Sequence, residues 1–483
     1  MRFQRVAVVE PRSGQTLFWE KTMRFQPFTR RRSAIVLASL AFAFATASGR
    51  SASAQSTSHQ VSTDSLIYDL KNPDAPRRLA AARDLGIAKF RPAIPALLPL
   101  VEDSDLSVRR QVELALEEME DIGVLQGLVQ FTADSDPAIR DRAVQALVSL
   151  HLPRAAGPTA ALAKLGNLIN PWSDEYSDAA VEPDVPVDAS VVTALRARMS
   201  DSEDKIRRHT SRGLGIVHAE QAVPELLVAV EQDRDPDVRF EAVRALRKIG
   251  DASAGDHLVP MLNLNVDRVR NEIITTLGSL KCRGAVADLT RVFEQAKPAD
   301  RARTLALSAL ADIADPSSRP VFLGAKADKD ISIRLYANEG LARLGGDSSL
   351  GTMMSADRLV ERNVRVQAAQ AFGLLRMQRE EYLDELVRAL ERPATRDLAR
   401  EYLLETAPAQ RPALFANHAK SATVRAELAD VFGLMGDRSA LPALEELEHD
   451  SDSSVARRAE RAIRRITAGT PVDSGRCEPP SGG

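Results

Sequence analysis

Apolar and polar positions follow a helical period along this chain, and the pattern recurs. Its clearest copy is Asp235-Pro236-Asp237-Val238-Arg239-Phe240-Glu241-Ala242-Val243-Arg244-Ala245-Leu246. An acid followed by proline reads as a capped helix start. Val238, Ala242 and Leu246 then fall on one helix face. The arginine of this phrase returns at Arg78, Arg109, Arg140, Arg207, Arg239, Arg270, Arg303, Arg334, Arg365, Arg396 and Arg425, and Ala456 takes its place in a last copy. Most steps are 31 residues and one is 67. Seven residues after each position stands Leu, Phe or Ile, from Leu85 to Ile463, with no polar exception. Three residues after it alanine recurs, as at Ala81, Ala242 and Ala368. Small and large apolar residues four apart meet on a helix surface.

A period near 31 residues with two helices in each period predicts an all-α, right-handed alpha-solenoid of about twelve stacked hairpins. Helices 63–71 and 76–88 form the first, turning at Asn72-Pro73-Asp74. Further hairpins are expected at Ile94–Met119 and Ile122–Leu150. Between Leu150 and Ala189 the rhythm breaks. A helix near 159–168 starts on schedule, and then prolines and acids, Pro171 to Pro186, predict an irregular surface loop. The rhythm resumes at Ala189 and runs to Ile466. The resulting division is 1–22 as a start-site extension, 23–54 as an export signal and 55–62 as a linker. An N-terminal array follows at 63–169, an acidic Pro/Trp insert at 170–187, a C-terminal array at 188–468 and a Pro/Gly/Ser tail at 469–483.

The motif Asp-x-Asp-Val-Arg-x-x-Ala-x-x-x-Leu-Gly resembles HEAT repeats, most closely the short bacterial form of the bilin-lyase type. The resemblance spans residues 63 to 467. It implies a stacking role for the recurrent acid and arginine, here Asp105 with Arg109, Asp136 with Arg140, Asp235 with Arg239, and Asp330 with Arg334. The acid is expected to cap its own helix, and the arginine one turn later to bond the neighbouring repeat. Some proteins of this kind take part in attaching or removing bilins with a partner subunit. An accessory subunit of such a lyase, or of another enzyme complex, is therefore the alternative to a plain binding scaffold. Fold alone does not choose between them.

Composition changes this picture little. Aromatics are 4% of the 483 residues, which suits Ala/Leu helices. Arg30-Arg31-Arg32, the apolar run 33–47 and Ala52-Ser53-Ala54 have the order of a secretory signal, with the mature chain beginning at Gln55. The expected address is exported, periplasmic or extracellular. The repeat of Met-Arg-Phe-Gln at Met1 and Met23 points to Met23 as the true start. Residues 1–54 hold nine Lys/Arg against two Asp/Glu, which takes the remainder from the −3 of the whole chain to about −10. That balance argues against a nucleic-acid partner.

Candidate chemistry is sparse. Seven histidines form no HxxxH pair, and Cys282 and Cys477 have no CxxC partner, so no metal, cofactor or catalytic residue is assigned. Ser202-Glu203-Asp204-Lys205 has Ser-x-x-Lys spacing but lacks the companion motifs. The expected function is a non-enzymatic scaffold that binds a protein or peptide on the concave face, on the insert, or on both. Trp172 and Tyr176 are the candidate anchors in the insert. Arg207, Arg208, Arg212 and Arg244 are the candidates on the helices. Arg83, Glu113, Glu339, Arg400 and Glu401 are expected to share that face.

Overall fold

The computed structural model describes residues 62–152, 180–181 and 185–467, less 347, 418 and 420. Among them there is no strand, and twelve helical hairpins follow one another. Their second helices are, in order, Ala75–Ile87, Leu106–Met119, Pro137–Ser149, Asp204–Ile216, Pro236–Ile249, Asp267–Ser279, Arg301–Ile313, Ile331–Leu344, Val364–Arg376, Arg396–Leu404, Ala422–Met435 and Ser453–Thr467. Most first helices are shorter and often break into 3-10 turns. In the second hairpin Pro92, Pro95 and Pro99 leave only Ile94–Leu97 as α-helix, between the 3-10 turns Arg91–Ala93 and Leu98–Glu102. Proline removes the amide that would extend the ladder of bonds. No helix of the described residues is long and apolar enough to cross a membrane.

Two devices repeat from hairpin to hairpin. The first is a set of polar bonds along the turns. Asp105, Asp136, Asp235 and Asp330 each accept two amides of the helix they open. The arginine four residues on reaches the next hairpin. Arg109 holds Asp134 at 2.7 and 3.1 Å, Arg140 holds Asp201 at 2.8 and 2.9 Å, and Arg334 holds Glu361 at 3.0 and 3.3 Å. Each also donates to the carbonyl six residues back, as Arg140 does to Asp134 at 2.9 Å. The partner acid is a second acid, two residues before the cap, which also accepts the cap residue's amide. One acid therefore opens a helix and the other receives the neighbour's arginine.

Not every position keeps this register: Arg270 pairs with Asp267 of its own helix and Arg396 donates to the Leu390 carbonyl of its own hairpin. Arg239 turns back to the Val230 carbonyl at 2.7 Å, because the next hairpin offers Leu264 where an acid would stand. In the ninth hairpin the cap is Asn363, which accepts the amides of Arg365 and Val366. Four residues on is Gln367, whose amide donates to the Glu361 carbonyl at 2.7 Å. Gln367 therefore occupies the place the sequence pattern gave to Arg365, and Ala368 gives way to Gln370 as the residue three further on.

The second device is close backbone contact. Gly86, Gly215, Gly278 and Gly433 lie eight residues after the ladder arginine and face Ala115, Ala245, Ala309 and Ala462 of the following second helix. A methyl group on Gly215 would come within 2.6 Å of the Ala245 α-carbon. Gly215→Val should thus destabilise the chain by about 3 kcal/mol despite the better helix former. Urea unfolding and hydrogen exchange over 236–249 would measure this, and an unchanged midpoint would refute the contact.

The stack is continuous across the insert. Arg140 and Asp201 join the third and fourth hairpins as Arg109 and Asp134 join the second and third. Val181, inside the expected insert, is buried and its amide donates to the Ile216 carbonyl at 2.8 Å. The helix expected near 159–168 lies outside the described residues. One buried apolar cluster runs from Leu66 to Leu374 and a second from Leu335 to Ile466, interleaving through the eighth and ninth hairpins.

Candidate functional site: the polar seam of the second helices

Second helices inside a stack have neighbours on both flanks, so polar residues on those flanks must be paired or kept wet. Here they pair. Asp141 receives His209 Nδ1 at 2.6 Å, Lys205 Nζ at 2.8 Å and the Gln145 amide at 3.0 Å. Burial pushes its carboxyl up, but His209 and Lys205 outweigh that and hold it below the ordinary range. Glu241 receives Arg212 at 2.6 Å and lies 3.6 Å from Arg244. Arg343 joins Asp312 at 3.0 Å and Glu405 at 2.9 Å. Tyr402 donates to Glu339 and stacks on Phe372 at 4.5 Å between centroids, so the eighth and tenth hairpins meet beside the ninth. Glu427 binds Arg400 and, at 3.3 Å, Arg458.

Two seam carboxyls are less well served. Glu113 is 1% exposed, has Arg142 3.4 Å away, and leaves Oε1 without a hydrogen bond among the described residues. Burial pushes it up to about 8. Burial also pushes Glu339 up to about 7, against the pull of Arg343 and the Tyr402 hydroxyl.

The sequence candidates are placed as follows. Arg207 is a ladder arginine, bound to Asp233 at 2.7 and 2.9 Å. Arg212 and Arg244 are 9% and 8% exposed, and both approach Glu241. Glu113 and Glu339 are buried as well. The expectation that these four residues present an open face is corrected: all are buried, Arg212, Glu113 and Glu339 bond helix to helix, and Arg244 lies against Glu241 of its own helix. Arg208 is half-buried, 3.7 Å from Asp237. Arg83 and Glu401 are exposed. Trp172 and Tyr176 lie outside the described residues. The seam's Asp141–His209 pair went unread in the sequence, since its members are 68 residues apart.

The seam's chemistry is structural. Lys205 of the Ser-x-x-Lys match is spent on Asp141, and the Ser202 carbonyl accepts from Arg207. The Ser211 hydroxyl donates to the Arg207 carbonyl at 2.9 Å. Cys282 is a buried free thiol, 3.6 Å from Asp256, and burial raises its pKa. Among the described residues no three His, Cys, Asp or Glu side chains are grouped to hold a metal ion.

Comparison with known families identifies repeats in part of the chain. A family profile described as HEAT repeats matches residues 63–148 and 192–278. A search of curated proteins found no match. Among solved structures, an engineered protein is 17% identical, covering 84% of this chain and 98% of its own, with a TM-score of 0.38. A structure from work on a phosphorylation switch in the cadherin–β-catenin interaction is 13% identical, covering 83% and 100%, with a TM-score of 0.38. Human deoxyhypusine hydroxylase in complex with glycerol is 19% identical, covering 51% and 96%, with a TM-score of 0.26. Residues 63–148 and 192–278 are thus HEAT repeats, and the caps, ladder arginines and glycine contacts described above carry the same hairpin on to Thr467.

Proposed function

We propose that this chain is an exported, non-enzymatic scaffold of the bacterial cell envelope that binds another protein. The observation that carries the reading is the ladder. By tying most hairpins to the next at a fixed spacing, it turns short helices into a long surface of fixed geometry, the form in which solenoids engage partners. The order of basic, apolar and small residues from Arg30 to Ala54 supports export. The ladder holds Arg207 and the polar seam holds Arg212 and Arg244, which favours exposed groups such as Arg83 and Glu401, and the insert, as the partner surface.

The test is a crosslinking pull-down from envelope extract with the chain from Gln55 and with a variant lacking Pro171 to Pro186. One protein should be recovered in near-equal amount with the full chain. Its loss from the variant would place the contact on the insert, and its retention would place it on the helices. A folded chain that recovers no partner in either form would overturn the reading.

A further inference from the structure

The register correction in the ninth hairpin exposes an anomaly. The position three residues after the ladder residue is Ala81, Val112, Ala143, Thr210, Ala242, Ile273, Ala306, Ala337, Gln370, Ala399, Leu428 and Ala459 in turn. It is small or apolar except for Thr210 and Gln370. Gln370 is 2% exposed, and its Oε1 has no hydrogen-bond partner among the described residues. A buried unpaired amide costs about 1–3 kcal/mol, so a long polar side chain at an alanine position needs a reason.

A cavity of about 380 Å³ supplies one. It lies between the eighth and ninth hairpins and is lined by Gln370, Lys326, Arg334, Asp357, Glu361 and Arg362, with Ala327 and Val360. Four of its charges cancel in pairs: Lys326 binds Asp357 at 2.6 Å, and Arg334 binds Glu361 at 3.0 Å. Arg362 remains, exposed, with its guanidinium bonded to no described residue. The cavity thus carries a net positive charge and two unused hydrogen-bonding groups, a guanidinium fork and an amide. The amide offers N–H or C=O according to its rotation. Beside the cavity Leu359 and Val360 are 89% and 78% exposed.

We infer that this cavity binds a carboxylate side chain of an extended acidic peptide from the partner protein, held by Arg362 and Gln370, with the peptide's adjoining apolar residue against Leu359 and Val360. A guanidinium fork matches a carboxylate in two bonds. An apolar knuckle beside it suits a segment in which acidic and apolar residues alternate. The assignment rests on the scaffold reading and names the chemistry its partner would carry.

The test uses the full chain and fluorescence polarisation. The probe is a fluorescein-labelled, C-terminally amidated hexapeptide of alternating leucine and glutamate, set against the same peptide with lysine for glutamate. The acidic peptide should bind at least tenfold more tightly. Arg362→Glu should abolish that preference. Gln370→Leu should weaken the acidic peptide about tenfold while leaving the melting temperature unchanged or higher, a combination that a merely structural glutamine would not give. Equal binding of both peptides, no binding of either, or full binding by Arg362→Glu would overturn the assignment. Displacement by sodium succinate at concentrations equal to the peptide's would also overturn it, in favour of a small-acid pocket. A partner recovered from envelope extract and still held by Arg362→Glu would remove this site and leave the scaffold reading standing.

Discussion

Replacing Arg140 by alanine should cost about 3–5 kcal/mol, because it strands a buried carboxylate. Asp201 is 2% exposed on its side chain and receives the Arg140 fork at 2.8 and 2.9 Å. Burial pushes the Asp201 carboxyl up, and the Arg140 bonds hold it below the ordinary carboxylate range, so removing Arg140 leaves the cost of burial opposed only by Arg198 and the Glu203 amide. Arg140 also fastens the third hairpin to the fourth, across the residues that interrupt the array. The damage should therefore be local as well as large, since stability in a stack resides in the interfaces between neighbours. Hydrogen exchange should accelerate first over Pro137–Ser149 and Asp204–Ile216, and thermal unfolding should split into two steps. Arg110→Ala is the control. That arginine is half-exposed and holds Asp136 at 2.7 Å, and its loss should cost at most about 1 kcal/mol. Equal losses in the two variants would mean that the ladder does not carry the stack.

Stability should fall as the pH rises from 5 to 9, a range over which a ladder of salt-bridged acids alone would leave it flat. The ladder acids, such as Asp103, Asp134, Asp201 and Asp233, have depressed folded pKa values. Their contribution is complete above the ordinary value of 3.8 and is lost only in stronger acid. Glu113 and Glu339 run the other way. Their pKa values rise from 4.5 to about 8 and about 7 on folding. The folded chain then binds protons that the unfolded chain has released. Their favourable balance is full below about 4.5 and declines with pH until each group has ionised in the folded state. At about 1.4 kcal/mol per unit, the decline is roughly 4–5 kcal/mol for Glu113 and roughly 3 kcal/mol for Glu339. Glu113→Gln should be nearly neutral at pH 5 and stabilising by a few kcal/mol at pH 9, since Arg142 keeps Glu117 at 2.7 Å. Urea midpoints across that range measure the effect. A flat profile in the parent chain, or an undiminished slope in the variant, would show that these carboxyls are better hydrated than their burial implies.

Much of the architecture can be read from the chain alone, because repetition multiplies a weak local signal. One acid, one arginine and one leucine at fixed spacing say little in a single helix. Eleven near-copies determine the period, the helical class, the hairpin count and the cap residues such as Asp105 and Asp235. Where the signal was a single residue, the reading slipped. Arg365 matched the period, yet Asn363 opens the helix and makes Gln367 the structural equivalent. The decision lies in which amides a side chain caps, and spacing does not encode that. The same two-residue shift hid Gln370 behind Ala368, and with it the cavity proposed as a binding site.

What only the tertiary structure decided is which charges are spent. Arg212, Arg244, Glu113 and Glu339 lie on the polar side of their own helices, so a helix taken singly assigns them to solvent. Stacking puts a neighbour on each flank, and the same polar stripe becomes an internal seam in which Glu241 takes Arg212 while Tyr402 takes Glu339 from two hairpins away. The sequence of one helix specifies its own amphipathic face. Whether the far face meets water or another helix depends on the approach of residues 29 to 68 positions distant, and only the packed stack settles that.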